Sequence, residues 1–532
     1  MKKTQSIFKG LSSIEYYDLI VLCGIVIGML YSAAILSFTL VFLGIRILFI
    51  GNLSNKIKKI KNNCILLFSL LSFFLLHVIG LLWTDNFNAG LLDLNKKLPF
   101  LIVPVAILIM SPLRKDILVF VFKFYITALL FGTLWAVFNY IETINIDTRF
   151  LISFTSNIRF GINIAFAVAL MLIVVLNNFK NMKKTCFLLA LSTWFVSYLF
   201  IVQALTGICI LCILAIVAVL IFVIRKKTKI AYTLSVLLLM ALIIFGFWIR
   251  SQYKSYFTPT HLYTQTLKPT TVLGNPYTHL KDKYIENGCY VNQYVCQQEM
   301  NEAWFKRTGD TLTDDCSDSI KYVCKETLKR YLNSKGLTKD AAGIEALTEK
   351  DIENIKAGNS NYMYAKRFSL KPRIYQTFFE FERYCNSGNF KDASITQRIE
   401  LCRNALKIIG DEPVLGVGTG DNIDKLKEYL DKNPTKDNFD NFDPHNYYLY
   451  IMVQFGILGL VVLILFLIYP PTKQKIWTNP VFQSLFVITI SAMFVESFFN
   501  LFSAMMLFCV VYSLLLFNKS LCPTNFSLQN VS

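Results

Sequence analysis

Long apolar runs separated by short polar loops fill the chain to about residue 250, give way to a polar stretch, and return near the C-terminus. A membrane helix needs roughly 20 mostly apolar residues. Scanning for such runs predicts about twelve spans, at 16–32, 34–50, 63–83, 97–111, 116–140, 158–177, 185–203, 205–224, 229–249, 446–468, 479–495 and 498–517. The polar stretch from Arg250 to His445 is too long for a connector. It reads as an extramembrane loop carrying an insertion, in which Lys335–Gly358 has a helix-and-turn pattern. The pattern predicts an all-α polytopic membrane protein in three parts. Residues 1–249 carry nine spans, 250–445 form the large loop, and 446–532 carry three spans and a tail.

Composition sharpens this. Of 532 residues, 54% are hydrophobic and only 17% charged, which excludes an ordinary soluble globule. The formal charge of +18 raises nucleic acid as a partner. The basic residues, however, sit in short loops such as Lys56, Lys58, Lys59 and Lys61, Lys183 and Lys184, and Arg225 and Lys226. One set of alternate segments holds about 19 of them, the other about three (Lys96, Lys97, Arg149). Positive-inside topology then puts both termini in the cytoplasm and the large loop outside, with no nucleic acid as partner. No cleavable signal peptide is expected, because the first apolar run continues into the second without an Ala-x-Ala-like site. Of 13 cysteines, six lie in the loop: Cys289, Cys296, Cys316, Cys324, Cys385 and Cys402. Local pairing would join Cys289 to Cys296 and Cys316 to Cys324. The spacing fixes no connectivity, and a zinc site would lack a CxxC.

Candidate chemistry collects at the outer helix ends. Arg159 opens the sixth span, where a guanidinium either snorkels to headgroups or binds phosphate bidentately. Gln203 and Thr206 lie at the turn between spans seven and eight. Ser394–Gly410 has the apolar spacing of an amphipathic helix, with Ser394 and Gln397 as a capping box and Arg398 and Arg403 as its cations. It is either a helix lying on the membrane or a way of aiming Arg398 at a lipid-borne anion. Gly416 and Gly418, in PVLGVGTG, are either turn residues or an anion nest. His445 and Asn446 open the tenth span. Imidazole, titrating near neutral pH, can act as a general base. Arg46 and Lys123 are read as snorkelling to the cytoplasmic ends, which leaves the midplane nearly free of charge and speaks against an ion-coupled transporter. His77 is read as bonded to a neighbouring helix, and His261 and His279 as lacking a partner set.

Three blocks resemble the O-antigen ligase and polymerase superfamily: SNIRFGINIAF, TQRIELCRNALKIIGDEPVLGVGTGD and DPHNYYLYIMVQFGILGL. The order of motifs, the twelve spans and the outer loop before the tenth are similar as well. Two departures stand out: Cys402 where the family often has Trp, and an insertion around 255–390. The resemblance implies an all-α GT-C-like fold and transfer of a glycan from an undecaprenyl-diphosphate carrier to an acceptor hydroxyl, without metal or cofactor. The acceptor it implies first is lipid A–core, with a growing glycan or a protein hydroxyl as alternatives. On this reading Arg159 and Arg398 stabilise the diphosphate leaving group, and His445 takes the acceptor proton or, alternatively, helps position the diphosphate, with inversion at the anomeric carbon. Arg403, Gly416, Gly418, Asn446, Gln203 and Thr206 would contact the diphosphate or glycan. A lipid-linked glycan transporter and a membrane scaffold are the readings from other classes.

Overall fold

Asn and Ser side chains start many of the helices, because their oxygens accept the orphan amides of the first turn. Ser12 and Glu15 form a complete capping box, and Asn52, Asn86, Asn181, Asn446 and Asn479 cap five further helices. The computed structural model describes residues 10–142, 156–177, 181–226, 228–259, 267–280, 285–314, 323–366, 369–388, 394–431 and 443–518. Arg149, His261 and Cys316, named above, lie outside these.

The helices in chain order are α1 Ser13–Tyr31, α2 Ala33–Leu48, α3 Leu53–Asn62, α4 Cys64–Ile79, α5 Phe87–Lys96, α6 Pro99–Met110, α7 Lys115–Glu142, α8 Asn157–Asn177, α9 Met182–Ile201, α10 Leu205–Lys226 and α11 Lys229–Phe257. The insertion adds α12 Gln297–Thr308, α13 Lys325–Ser334, α14 Ala341–Glu345, α15 Glu349–Lys356 and α16 Lys371–Ser387. Then follow α17 Ser394–Asp411, α18 Asn422–Asp431, α19 Tyr447–Gln474, α20 Pro480–Val495 and α21 Phe502–Phe517. The protein is thus an all-α polytopic membrane protein, with eight described helices long and apolar enough to cross a bilayer. The spans expected at 34–50, 97–111, 479–495 and 498–517 are the shorter helices α2, α6, α20 and α21. The sequence scan did not separate α3, which leaves α2 at a bend of 100°.

Two compact units emerge, residues 1–218 with 391–532, and residues 219–390. In the first, an apolar core of Leu, Phe and Ile side chains from α1, α2, α4, α6, α8, α19, α20 and α21 is continuous. Arg46 does not snorkel. It is 6% exposed, and its Nε donates to Asp18 Oδ1 at 2.6 Å while a terminal nitrogen donates to the Ile50 carbonyl at 2.7 Å. Although it stands in the last turn of α2, its buried charge is paired inside by Asp18 of α1.

The second unit has its own core around Trp304, Tyr331, Leu332 and Ile344. Its few strands are two-residue pairs, Ile285–Glu286 with Cys289–Tyr290 and Leu312–Thr313 with Val323–Cys324. Lys339 is buried and donates to Asn333 Oδ1 at 2.7 Å and to the Gln293 carbonyl at 3.1 Å; desolvation pulls its ammonium down to about 8. Cys324 is disulfide-bonded. Cys296 is a buried free thiol, so its expected bridge to Cys289 does not form. In this unit Cys289 opens a hairpin strand, whereas Cys296 caps α12.

Candidate functional site

The site lies in the first unit, where the starts of α8 and α19, the end of α20 and the face of α17 provide its side chains. Helix α20 ends at Glu496, which turns to extended backbone (φ −151°, ψ 152°) and so leaves the last carbonyls of α20 open. Arg398, from α17, fills that gap. One terminal nitrogen donates to the Val495 carbonyl at 2.9 Å and the other to Glu496 Oε1 at 2.7 Å. The second carboxylate oxygen faces His445 Nδ1 at 3.1 Å. Glu496 is thus a buried carboxylate, 6% exposed, holding an arginine and a histidine at once. Burial pushes its carboxyl up, but the His445 hydrogen bond and the Arg398 charge outweigh that and hold it below its ordinary value. A carboxylate cannot donate, so Nδ1 of His445 bears the proton of this bond, and in the neutral imidazole Nε2 is the nitrogen with the lone pair.

His445 is fixed from every side. Its backbone is left-handed, φ +50°, a region that among non-glycine residues Asn, Asp and His visit most. Its amide donates to Asp443 Oδ1 at 2.8 Å and holds that turn. The Ser497 hydroxyl donates to the same oxygen. The Cys402 thiol donates to the Pro444 carbonyl at 3.3 Å. Next to it, Asn446 Oδ1 accepts from the amides of Tyr448 and Leu449, both at 3.1 Å, and its Nδ2 donates to the Phe494 carbonyl at 3.4 Å. Asn446 therefore caps α19 and ties it to α20.

Arg159 lies in the first turn of α8, which packs on α20. Its charge couples to Glu496. Among the described residues its guanidinium has no hydrogen-bond or salt-bridge partner, and its Nε is enclosed and unsatisfied. An Nε shut off from water without an acceptor is a costly arrangement unless a ligand completes it. The turn bearing Gln203 (φ +55°) and Thr206 comes up against this helix, with Gly207 and Gly161 in backbone contact two residues beyond Arg159.

Two expected ligand sets are placed elsewhere. Arg403 is five residues beyond Arg398, about 140° round the helix. Its side chain is 68% exposed and, among the described residues, reaches Glu400 at 3.7 Å. The Pro413–Gly420 loop is not an open nest. Val417 and Gly418 amides donate to the Val453 and Gln454 carbonyls, both at 2.9 Å, and the Ile457 amide returns to Pro413 at 2.9 Å. The Thr419 amide goes to the Gly80 carbonyl and the Gly420 amide to Thr84 Oγ1. These amides are spent on holding open a break in α19 at Gly456 (φ 57°, ψ −152°), so Gly416 and Gly418 have a packing role. A Cβ on Gly416, itself at φ +62°, would stand 2.5 Å from the Val453 oxygen. Gly416→Ala is expected to cost about 2–4 kcal/mol, read as a lowered midpoint in thermal unfolding of the detergent-solubilised chain.

Three residues escaped the sequence reading. Glu496 could have been found, since it is the only acidic residue after Asp443 and stands in an otherwise apolar stretch. Asp443 reads as an ordinary loop acid. Lys97 reads as a loop cation but is fully buried. It donates to the Phe499 carbonyl at 3.1 Å and to Asn500 Oδ1, and lies 5.8 and 5.9 Å from the ring centres of Tyr447 and Tyr450. It thereby anchors the turn that follows Glu496 to the start of α19.

The O-antigen ligase family model matches residues 349–464. The match includes Arg398, the Pro413–Gly420 loop, His445 and Asn446, and stops short of Glu496. No curated protein matches the chain.

Proposed function

We propose, from the premise that this is an O-antigen ligase-like membrane protein, that it transfers a glycan from an undecaprenyl-diphosphate carrier to an acceptor hydroxyl, with lipid A–core as the acceptor. The carrying observation is Arg159, half-buried with an enclosed Nε that lacks an acceptor, whose charge couples to Glu496 of the Arg398–Glu496–His445 cluster. Such a group is suited to the oxygens of a diphosphate, and its charge would stabilise them most as the bond to the sugar breaks. In this reading the acceptor oxygen attacks the anomeric carbon opposite the phosphate. The carbon–oxygen bond to the diphosphate breaks, the electron pair leaves with undecaprenyl diphosphate, and the configuration inverts. The acceptor proton passes to His445 Nε2, and Glu496 steadies the resulting imidazolium through Nδ1. The site would face the periplasm of the inner membrane, with both termini in the cytoplasm.

The test is deletion of the gene in its source bacterium, with envelope glycans resolved on gels. The reading expects loss of the long lipopolysaccharide ladder, retention of an unmodified core and accumulation of lipid-linked glycan. A core bearing one repeat would move the assignment to a polymerase. Loss of glycoprotein signal with an intact ladder would move it to protein glycosylation. An unchanged pattern throughout would remove the transferase reading.

A further inference from the structure

The cation cluster already contains an anion, and this has a consequence for which carrier can enter. Glu496 neutralises Arg398 at 2.7 Å and engages His445 at 3.1 Å, while Arg159, whose charge couples to the same Glu496, has no partner among the described residues. An incoming phosphate therefore meets one vacant guanidinium and one that is occupied. A carrier with a single phosphodiester charge can satisfy Arg159. To reach Arg398 as well it would have to expel a buried carboxylate with no charge left over to compensate. A diphosphate carries a second charge and can satisfy both arginines, leaving Glu496 to His445 alone.

We propose that Glu496 is a specificity-determining residue, a resident counter-anion on Arg398 that reserves the site for diphosphate-linked carriers and disfavours monophosphate-linked ones. This rests on the donor reading given above. The discrimination comes from a built-in competitor rather than from added contacts to the preferred ligand. The geometry supports it, because Glu496 has two oxygens with two separate tasks. Release of Oε1 from Arg398 leaves Oε2 in place on His445, so the base keeps its tautomer while the arginine changes partner. The depressed carboxyl of Glu496 keeps the competitor charged under working conditions.

The experiment uses the full-length chain in detergent with two short-chain probes, farnesyl-diphospho-N-acetylglucosamine and farnesyl-phospho-N-acetylglucosamine, and measures binding of each. The wild type is expected to prefer the diphosphate by about 100-fold, and Glu496→Gln to narrow that to below about tenfold, chiefly by gaining affinity for the monophosphate. A ratio that stays the same in Glu496→Gln, or monophosphate affinity that falls, overturns the proposal. A second measurement needs no variant. Inorganic pyrophosphate should displace the diphosphate probe from the wild type at concentrations where inorganic phosphate does not, and equal displacement by the two overturns the proposal. The donor reading fails separately: it falls if neither probe binds the wild type, or if Arg159→Gln and Arg398→Gln leave both affinities unchanged.

Discussion

Replacing His445 by Asn should lower the rate of glycan transfer by about 10²–10⁴-fold while the chain still folds and still binds its donor. Asn is the right substitution because position 445 is left-handed, φ +50°, and Asn tolerates that backbone where Ala would add strain. An amide cannot take up the acceptor proton, so the loss should appear in the chemical step and not in donor affinity. Single-turnover transfer in proteoliposomes, with donor binding measured alongside, separates the two. Robust turnover by the variant would end the role of His445 as base. The acid side of the pH profile adds a check. Glu496 has its carboxyl held below the ordinary value, so the stability from its contacts is fully present above about 4.3, the unfolded reference, and is lost as pH falls through the lower folded value. A decline in transfer at higher pH than that cannot come from loss of the Glu496 contacts.

The two arginines should part company in a second pair of variants. Arg159→Gln is expected to slow transfer by about 10²–10³-fold, the usual range for removing one stabilising donor of developing negative charge. Its melting temperature should hold or rise, because the wild-type guanidinium has no partner to lose. Arg398→Gln should slow transfer as well, but with a lowered melting temperature. That change strips the Val495 carbonyl and one oxygen of a 6%-exposed carboxylate of their donor, and with Arg398 itself 27% exposed the cost should be about 1–3 kcal/mol, below that of a fully buried pair. Equal melting temperatures for the two variants would mean that Arg398 has no structural share in the site.

What could be read beforehand divides along physical lines. The apolar runs located the helices, because a membrane span must be long and continuous to satisfy its own backbone. The same scan missed the bend before Leu53, since an amphipathic surface helix such as α3 is too polar to register. Arg159, Arg398 and His445 stood out by residue type at helix ends. Arg403 stood out equally, and only the turn of α17 separates it from Arg398. The glycine pair pointed to an unusual backbone, which is there, but sequence could not reveal that Val453 and Gln454 take up the amides. Glu496, Asp443 and Lys97 were hidden because their partners are distant in the chain. Lys97 meets Phe499 and Asn500 some four hundred residues on.

The break between α20 and α21 has a bearing on the lipid itself. Each helix has 16 residues; at about 1.5 Å per residue each covers about 24 Å, less than the roughly 30 Å of a bilayer's hydrocarbon core. The corner between them carries Glu496 and Ser497, which protein shields from acyl chains, whereas Phe494 and Val495 just before it are exposed. A bilayer that matches two such short apolar helices is thinner than average, and each angstrom of mismatch carries a modest cost. Host membranes with shorter acyl chains would relieve this cost and longer ones would raise it. Turnover in vesicles of graded chain length should then have an optimum on the thin side, set by two short helices rather than by the reaction.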